Sequence, residues 1–227
     1  MKINYPVTLR LAALAAATTI IGGCATTRQQ YDYTAFKEAR PASILVLPPI
    51  NNSPDVNGTY SMMSQVTQPL AESGYYVFPV TLVDETFKQN GLTSPNDIHD
   101  VPVKKLREIF GADAALYINI KDYGTKYIVI SSETRVTAAA KIVDLRTGKT
   151  LWSGAATASS AEGDSGGGGL AGVLIKAVVK QVLETSLEQG HVIAGHTSNR
   201  LLSAARPNGI LYGPRSSQHQ KEGVQTK

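Results

Sequence analysis

Ser43-Ile44-Leu45-Val46-Leu47-Pro48-Pro49 is the stretch on which the fold turns. A continuous apolar run with no alternation describes a strand covered on both faces, and two prolines end it because neither can donate to a ladder. A sheet buried on both sides needs helices above and below, so the surrounding sequence should supply them. Residues 51–58 (NNSPDVNG), dense in turn formers, read as a loop at the strand's carboxyl end.

Downstream, Met63, Val66, Thr67 and Leu70 recur at helical spacing over residues 60–73, with Pro69 expected to kink or split the helix. Gly74 suits a helix end, and residues 75–80 (YYVFPV) read as a second strand. Thr81 and Asp84 have the spacing of a capping box opening a short helix through Phe87, which stops at Gly91. A polar loop follows to Asp100. Pro102 then starts a helix with Val103, Leu106, Ile109 and Phe110 on one face, closed by Gly111.

Residues 114–120 (AALYINI) are the third strand. From there the pattern changes. Thr134, Val136, Ala138, Ala140 and Ile142 alternate with Glu133, Arg135, Thr137, Ala139 and Lys141, a half-buried antiparallel strand with one wetter face. Residues 144–149 form a turn, and residues 150–158 return as the partner strand with Trp152, the single tryptophan. Residues 164–169 read as a Gly-rich hinge. Residues 170–189 read as an amphipathic helix with Lys176, Lys180, Glu184 and Glu188 along one row. The order β-α-β-α-α-β-β-β-α predicts an α/β three-layer sandwich: a mixed β-sheet with helices on both faces. From about residue 197 the chain reads as a polar tail, in which residues 208–215 (NGILYGPR) form an apolar island able to dock on the domain or a partner.

Upstream of the first strand, residues 25–40 read as a polar tether whose Tyr31, Tyr33 and Phe36 could dock on the domain. Before it, Lys2 and Arg10 precede an apolar run from Leu11 that is closed by Ile20-Ile21-Gly22-Gly23-Cys24, the layout of a secretory signal peptide. The run is too short to span about 30 Å of hydrocarbon. Ile-Gly-Gly before the sole cysteine resembles a bacterial lipobox, which makes Cys24 the predicted lipidation site. The expected organisation is a signal peptide over 1–23, a lipidated tether over 24–40, a periplasmic α/β domain over 41–196 and a tail over 197–227.

The net charge of +4 includes Lys2 and Arg10, so the chain from Cys24 carries +2. No block of five or more like charges appears, so nothing in the sequence argues for a nucleic-acid partner or a polybasic membrane patch. With Cys24 acylated, no thiol remains for a disulfide, a zinc site or a nucleophile.

Catalytic readings fail on detail. Gly163-Asp164-Ser165-Gly166-Gly167 spells the nucleophile motif of chymotrypsin-like proteases, but none of His99, His191, His196 and His219 sits in the matching base motif, and strands interleaved with helices are wrong for that fold. Lys176 is misplaced for a phosphate-binding loop. His191 and His196, five apart, give no zinc signature, and Asp97, His99 and Asp100 read as a solvated loop. No metal, cofactor or acid–base pair is expected.

Residues 43–49, Gly74-Tyr75-Tyr76-Val77-Phe78-Pro79, Phe110-Gly111-Ala112-Asp113-Ala114 and Val143-Asp144-Leu145-Arg146-Thr147-Gly148-Lys149-Thr150-Leu151-Trp152 together resemble the CsgG/TolB-amino-terminal type of domain in Gram-negative envelope lipoproteins. More narrowly, they resemble a lipoprotein family that occurs alongside CsgG-like lipoproteins, over about residues 31–215. The resemblance implies a non-catalytic, periplasm-facing outer-membrane lipoprotein, a homo-dimer or part of a larger assembly. It would serve envelope transport or secretion beside CsgG-like partners. It brings no catalytic residues. The long membrane hairpins of the CsgG pore have no counterpart in this reading, which favours an accessory subunit. Ala25 after the cysteine lacks the aspartate that resembles an inner-membrane retention signal. The competing expectation is a periplasmic ligand-binding protein or hydrolase using a cleft near residues 51–58 and the Gly-rich loop.

Overall fold

The structure is a computed structural model that describes residues 31–128, 131–164, 186–204 and 206–219. Cys24, the Gly-rich hinge beyond Asp164 and most of the helix expected over 170–189 lie outside them.

Helix α1 (Thr34–Ala39) opens the domain. The Asp32 carboxylate accepts from the Thr34 backbone N–H at 2.9 Å and from its hydroxyl at 2.6 Å, which supplies the first turn with an acceptor. The helix buries Phe36, and Arg40 ends it in the left-handed region at φ 45°. Strand β1 (Ser43–Val46) follows, with Ile44, Leu45 and Val46 fully buried as the unbroken apolar run demands. After the two prolines, β2 (Ile50–Asn51) resumes in the same direction.

Pro69 splits the next helix as expected, but the break falls before the ring. Helix α2 (Gly58–Gln65) stops at the residue whose carbonyl Pro69 cannot meet, and α3 (Thr67–Glu72) carries Pro69 in its first turn, where no N–H is required. Strand β3 (Tyr76–Val77) is only two residues long, because Pro79 heads α4 (Val80–Gln89). The capping box does not form. Thr81 and Asp84 lie inside α4, where Asp84 pairs with Lys88 at 2.7 Å. The polar loop before Asp100 contains a further helix, α5 (Pro95–His99), and α6 (Val103–Phe110) ends at Gly111 with φ 68°.

Strands β4 (Ala114–Ile128) and β5 (Ser131–Asp144) make a much longer hairpin than the sequence pattern suggests, paired from Ala114↔Asp144 to Ile128↔Ser131 with a bulge between Ile120 and Asp122. Strand β6 (Thr150–Ser159) completes a six-stranded mixed sheet of order β3-β1-β4-β5-β6, with β2 also beside β4. The strands up to β4 run parallel; β5 and β6 run antiparallel.

One face of the sheet packs Leu45, Leu47, Ala115, Tyr117, Val143 and Leu145 against Val83, Phe87, Ile98 and Leu106 of α4, α5 and α6. The other face is covered by α2, α3 and α7 (Ser186–Leu202). The molecule is thus an α/β sandwich with helices on both faces. Among the described residues, no helix of the first layer covers β5 and β6: Thr137, Ala139 and Lys141, on the wetter face of the alternating pattern, and Ala155 and Thr157 beside them are partly or fully exposed.

Residues 197–219 are not an exposed tail. Helix α7 runs on through buried Thr197, Ser198, Leu201 and Leu202. The chain then crosses the end of the sheet at which β1, β3 and β4 begin. Asn208 accepts from Trp152 Nε1 at 3.0 Å, Gly209 from the Tyr33 hydroxyl and Leu211 from the Tyr75 hydroxyl, both at 2.5 Å. The N–H groups of Gly213 and Arg215 donate to the Ser73 and Gly74 carbonyls at 2.8 and 3.1 Å. Five strands at their usual spacing span about 20 Å, a distance that residues 208–215 cover when nearly extended. This strap ties β6 to β3, the sheet's two edges.

Candidate functional site

The loop at the carboxyl end of β1 is closed on itself. Asn51 donates from Nδ2 to the Asp55 carbonyl at 2.7 Å, while its Oδ1 accepts from the Ser53 N–H and hydroxyl at 3.0 and 2.7 Å. Asp55 Oδ1 accepts from the Asn57 N–H at 2.9 Å, and a Cβ on Gly58 would lie 2.9 Å from the Asn51 amide. These side chains spend their hydrogen bonds on holding the turn.

A groove of about 430 Å³ opens beside that loop, lined by Ile50, His99, Asp100, Tyr117, Asn119 and Lys141 among others. Helix α5 brings His99 to it, and β4 and β5 bring Tyr117 and Lys141 as direct cross-strand neighbours. His99 donates Nε2–H to the Pro48 carbonyl at 2.9 Å and sets its edge on Tyr117, with ring centroids 5.1 Å apart. Burial pushes the His99 imidazole below its ordinary value, with Lys141 acting in the same direction, against the Pro48 bond and Asp100. Burial raises the Tyr117 phenol. Lys141 Nζ lies 5.0 Å from the Tyr117 ring centre. A neutral imidazole, a protonated phenol and an ammonium can bind by hydrogen bonds and charge. They include no activated nucleophile and no acid–base pair.

A second cluster joins α2, β4 and α7. Gln65 Nε2 donates to His191 Nε2 at 2.6 Å, which leaves the imidazole proton on Nδ1, facing Ser61 Oγ at 3.0 Å. The Tyr123 hydroxyl donates to the same Ser61 Oγ at 2.7 Å. A serine nucleophile needs the facing nitrogen unprotonated and a carboxylate behind the ring; here the nitrogen carries its proton and an amide stands behind it. Gly190 and Gly195 let α7 approach, since a Cβ at either would sit 2.9 Å from Tyr123 Oη or 3.0 Å from Gln65 Oε1. The cluster is a polar weld between elements.

The remaining sequence candidates do not converge. Gly163 and Asp164 end a 3-10 turn (Ser160–Asp164), and Ser165 and Lys176 lie outside the described residues. His196 is exposed on α7, and Asp97 and Asp100 flank a His99 already engaged with Pro48. Among the described residues, no group of three or more His, Cys, Asp or Glu side chains could hold a metal ion, and no helix is long and apolar enough to cross a membrane. The groove was missed because its lining comes from a helix read as loop and from two strands whose pairing sequence did not show.

The GNA1162-like lipoprotein family matches residues 31–215, from the start of the described domain to the end of the strap. The chain belongs to this family. The GNA1162-like relative NMB1124/NMB1162 of Neisseria meningitidis serogroup B, itself named as a lipoprotein, is 47% identical over 216 residues, which cover 95% of this chain and 98% of the relative. The crystal structure of lipoprotein GNA1162 from Neisseria meningitidis is 52% identical, with a TM-score of 0.52, covering 64% of this chain and all of the crystallised one. For a GNA1162-like chain, the match places the lipobox-like cysteine seven residues upstream of the shared segment.

Proposed function

We propose that this GNA1162-like chain is an outer-membrane lipoprotein, acylated at Cys24, whose periplasmic domain is a non-catalytic accessory subunit of an envelope transport or secretion assembly. The CsgG/TolB-amino-terminal likeness, homo-dimeric or larger assembly and association with CsgG-like partners belong to the same proposal. So does the division into signal peptide, tether and domain.

The observation that carries it is how the polar side chains are used. Among the described residues, no buried side-chain nitrogen or oxygen lacks a hydrogen-bond partner, and the His, Ser and Asp clusters each serve to join elements. Among the described residues, the sheet face over β5 and β6, with Thr137, Ala139, Lys141, Ala155 and Thr157, is left without a covering helix. An internally satisfied framework with an open face suits binding to another protein. Tethering to a membrane raises the effective concentration of even a weak interface.

Affinity capture from gently solubilised outer membrane is the test. Recovery with envelope proteins, lost on Thr137→Arg in the open face, is expected; recovery of monomer alone overturns the reading. Mass spectrometry of the mature amino terminus checks the anchor, and an unmodified Ala25 start overturns it. A ligand-binding protein is the second reading, with the His99–Lys141 groove in its favour; among the described residues, no activated side-chain nucleophile favours the hydrolase variant.

A further inference from the structure

Sequence order scatters the basic residues of this chain; the fold collects six of them at one end. The base of the sheet, crossed by the strap, is built from α1, the turn between β5 and β6, and residues 206–216. Lys37 and Arg40 lie on and just after α1, Arg146 and Lys149 in the turn, and Arg206 and Arg215 in the strap; all six are exposed. Arg146 Nη2 donates to the Ala39 carbonyl at 2.5 Å and Arg40 Nε to the Lys37 carbonyl at 3.2 Å, which joins the turn to α1, while Arg215 stacks 5.3 Å from the Tyr76 ring centre at the other edge of the strap.

The acids of the same end are turned inward. Asp113 Oδ2 accepts from the Ala42 and Ser43 N–H groups and from the Ser43 hydroxyl at 3.0 to 3.1 Å. Asp144 is buried, accepting from Arg146 N and Nε and from the Thr147 hydroxyl. Against these six exposed cations stand the exposed acids Asp32, Glu38 and Glu72, and Glu108 of the neighbouring α6, which is paired with Lys105 at 2.8 Å. Asp32 is already bonded to Thr34, and Glu72 to Gln68.

This is also the end by which the chain enters the domain. Tyr33, bonded to the strap, is nine residues from Cys24, a reach of about 30 Å when extended. We propose that the base is a membrane-docking surface: its cations engage the anionic phospholipid headgroups of the leaflet that holds the anchor, fixing the domain base-down with the open β5–β6 face turned sideways to partners. The proposal rests on acylation of Cys24. Clustered Lys and Arg beside a membrane anchor gain from the negative surface potential of such lipids, within about 10 Å of the surface.

Trp152, the sole tryptophan, sits at this base and serves as the donor. The lipidated chain is reconstituted in vesicles of phosphatidylcholine, or of phosphatidylcholine with about 30% phosphatidylglycerol, each with a trace of headgroup-dansylated lipid. Energy transfer from Trp152 is expected to be about two-fold higher with phosphatidylglycerol and to fall to the phosphatidylcholine level in about 0.5 M NaCl. Lys149→Glu with Arg206→Glu should abolish the difference; Arg40→Glu with Arg215→Glu is the independent second pair. Equal transfer in both vesicles, or transfer unchanged by both pairs, from a chain that floats with the vesicles overturns the docking surface. A chain that does not float with phosphatidylcholine vesicles overturns the anchor instead, and the proposal with it.

Discussion

Gly213 and Gly74 meet back to back: a Cβ on Gly213 would lie 2.5 Å from the Gly74 carbonyl oxygen, and one on Gly74 would lie 2.5 Å from the Ser216 nitrogen. Gly74 also holds φ at +94°. Backbone meets backbone here, so no flexible side chain can move aside. Gly74→Ala and Gly213→Ala should each cost about 2–3 kcal/mol, measured by urea unfolding. Gly91→Ala is the control: φ is +80° but nothing lies within 4 Å of its Cβ, and the cost should stay near 1 kcal/mol.

Gly154 lies under the indole of Trp152, where a Cβ would come within 2.5 Å of Cζ2. Trp152 is 2% exposed and holds the strap through Asn208. Gly154→Ala should push the ring off its hydrogen bond, seen as a red-shifted tryptophan emission and a fall in Tm of several degrees. An unshifted emission would contradict the packing described.

His99 gives the domain a pH dependence whose sign follows from its burial. Its imidazole is held below its ordinary value of 6.5, so the unfolded chain takes up the proton first as pH falls. Stability contributed by the neutral ring is complete above about pH 6.5 and declines below it, until the folded form protonates as well. His99→Gln keeps a donor for the Pro48 carbonyl without the titration. The slope of unfolding free energy against pH between about 5 and 6.5 should be shallower in the variant.

Ser61 is predicted to be structural. Ser61→Ala should leave the Tyr123 hydroxyl and the His191 Nδ1–H without their shared acceptor and cost about 1–2 kcal/mol. Tyr123→Phe combined with Ser61→Ala should cost less than the sum of the two single changes, by about 1 kcal/mol in a double-mutant cycle. Detectable ester hydrolysis that Ser61→Ala abolishes would overturn the assignment.

The parts of this architecture that sequence made legible are those where burial alone dictates residue type. Residues 43–47 could only be a covered strand, and the alternation from Glu133 to Ile142 reappears as buried and exposed faces of β5. What stayed hidden depends on partners distant in sequence. Thr197 and Ser198 read as the start of a polar tail, yet both are fully buried. Thr197 Oγ1 donates to the Ile193 carbonyl at 2.9 Å, and Ser198 Oγ to Met62 Sδ at 3.5 Å. Small hydroxyls satisfied by their own helix or by a thioether pack like alanine, which composition cannot reveal. Thr81 and Asp84 had cap spacing, but Pro79 set the helix start upstream of them. The groove needs the pairing of Tyr117 with Lys141, set by a hairpin length that local pattern underestimated.

The strap bears on when the domain can finish folding as well as on how it holds. Its partners Tyr33, Ser73, Gly74, Tyr75 and Trp152 come from three segments far apart in sequence, all of them earlier than residues 208–215. A polypeptide that crosses a membrane amino terminus first delivers these residues last. Until they emerge, the sheet's two edges are not joined and the sites at Gly74 and Trp152 stand open. On the export proposed above, the domain would lock only once residues 208–215 have emerged.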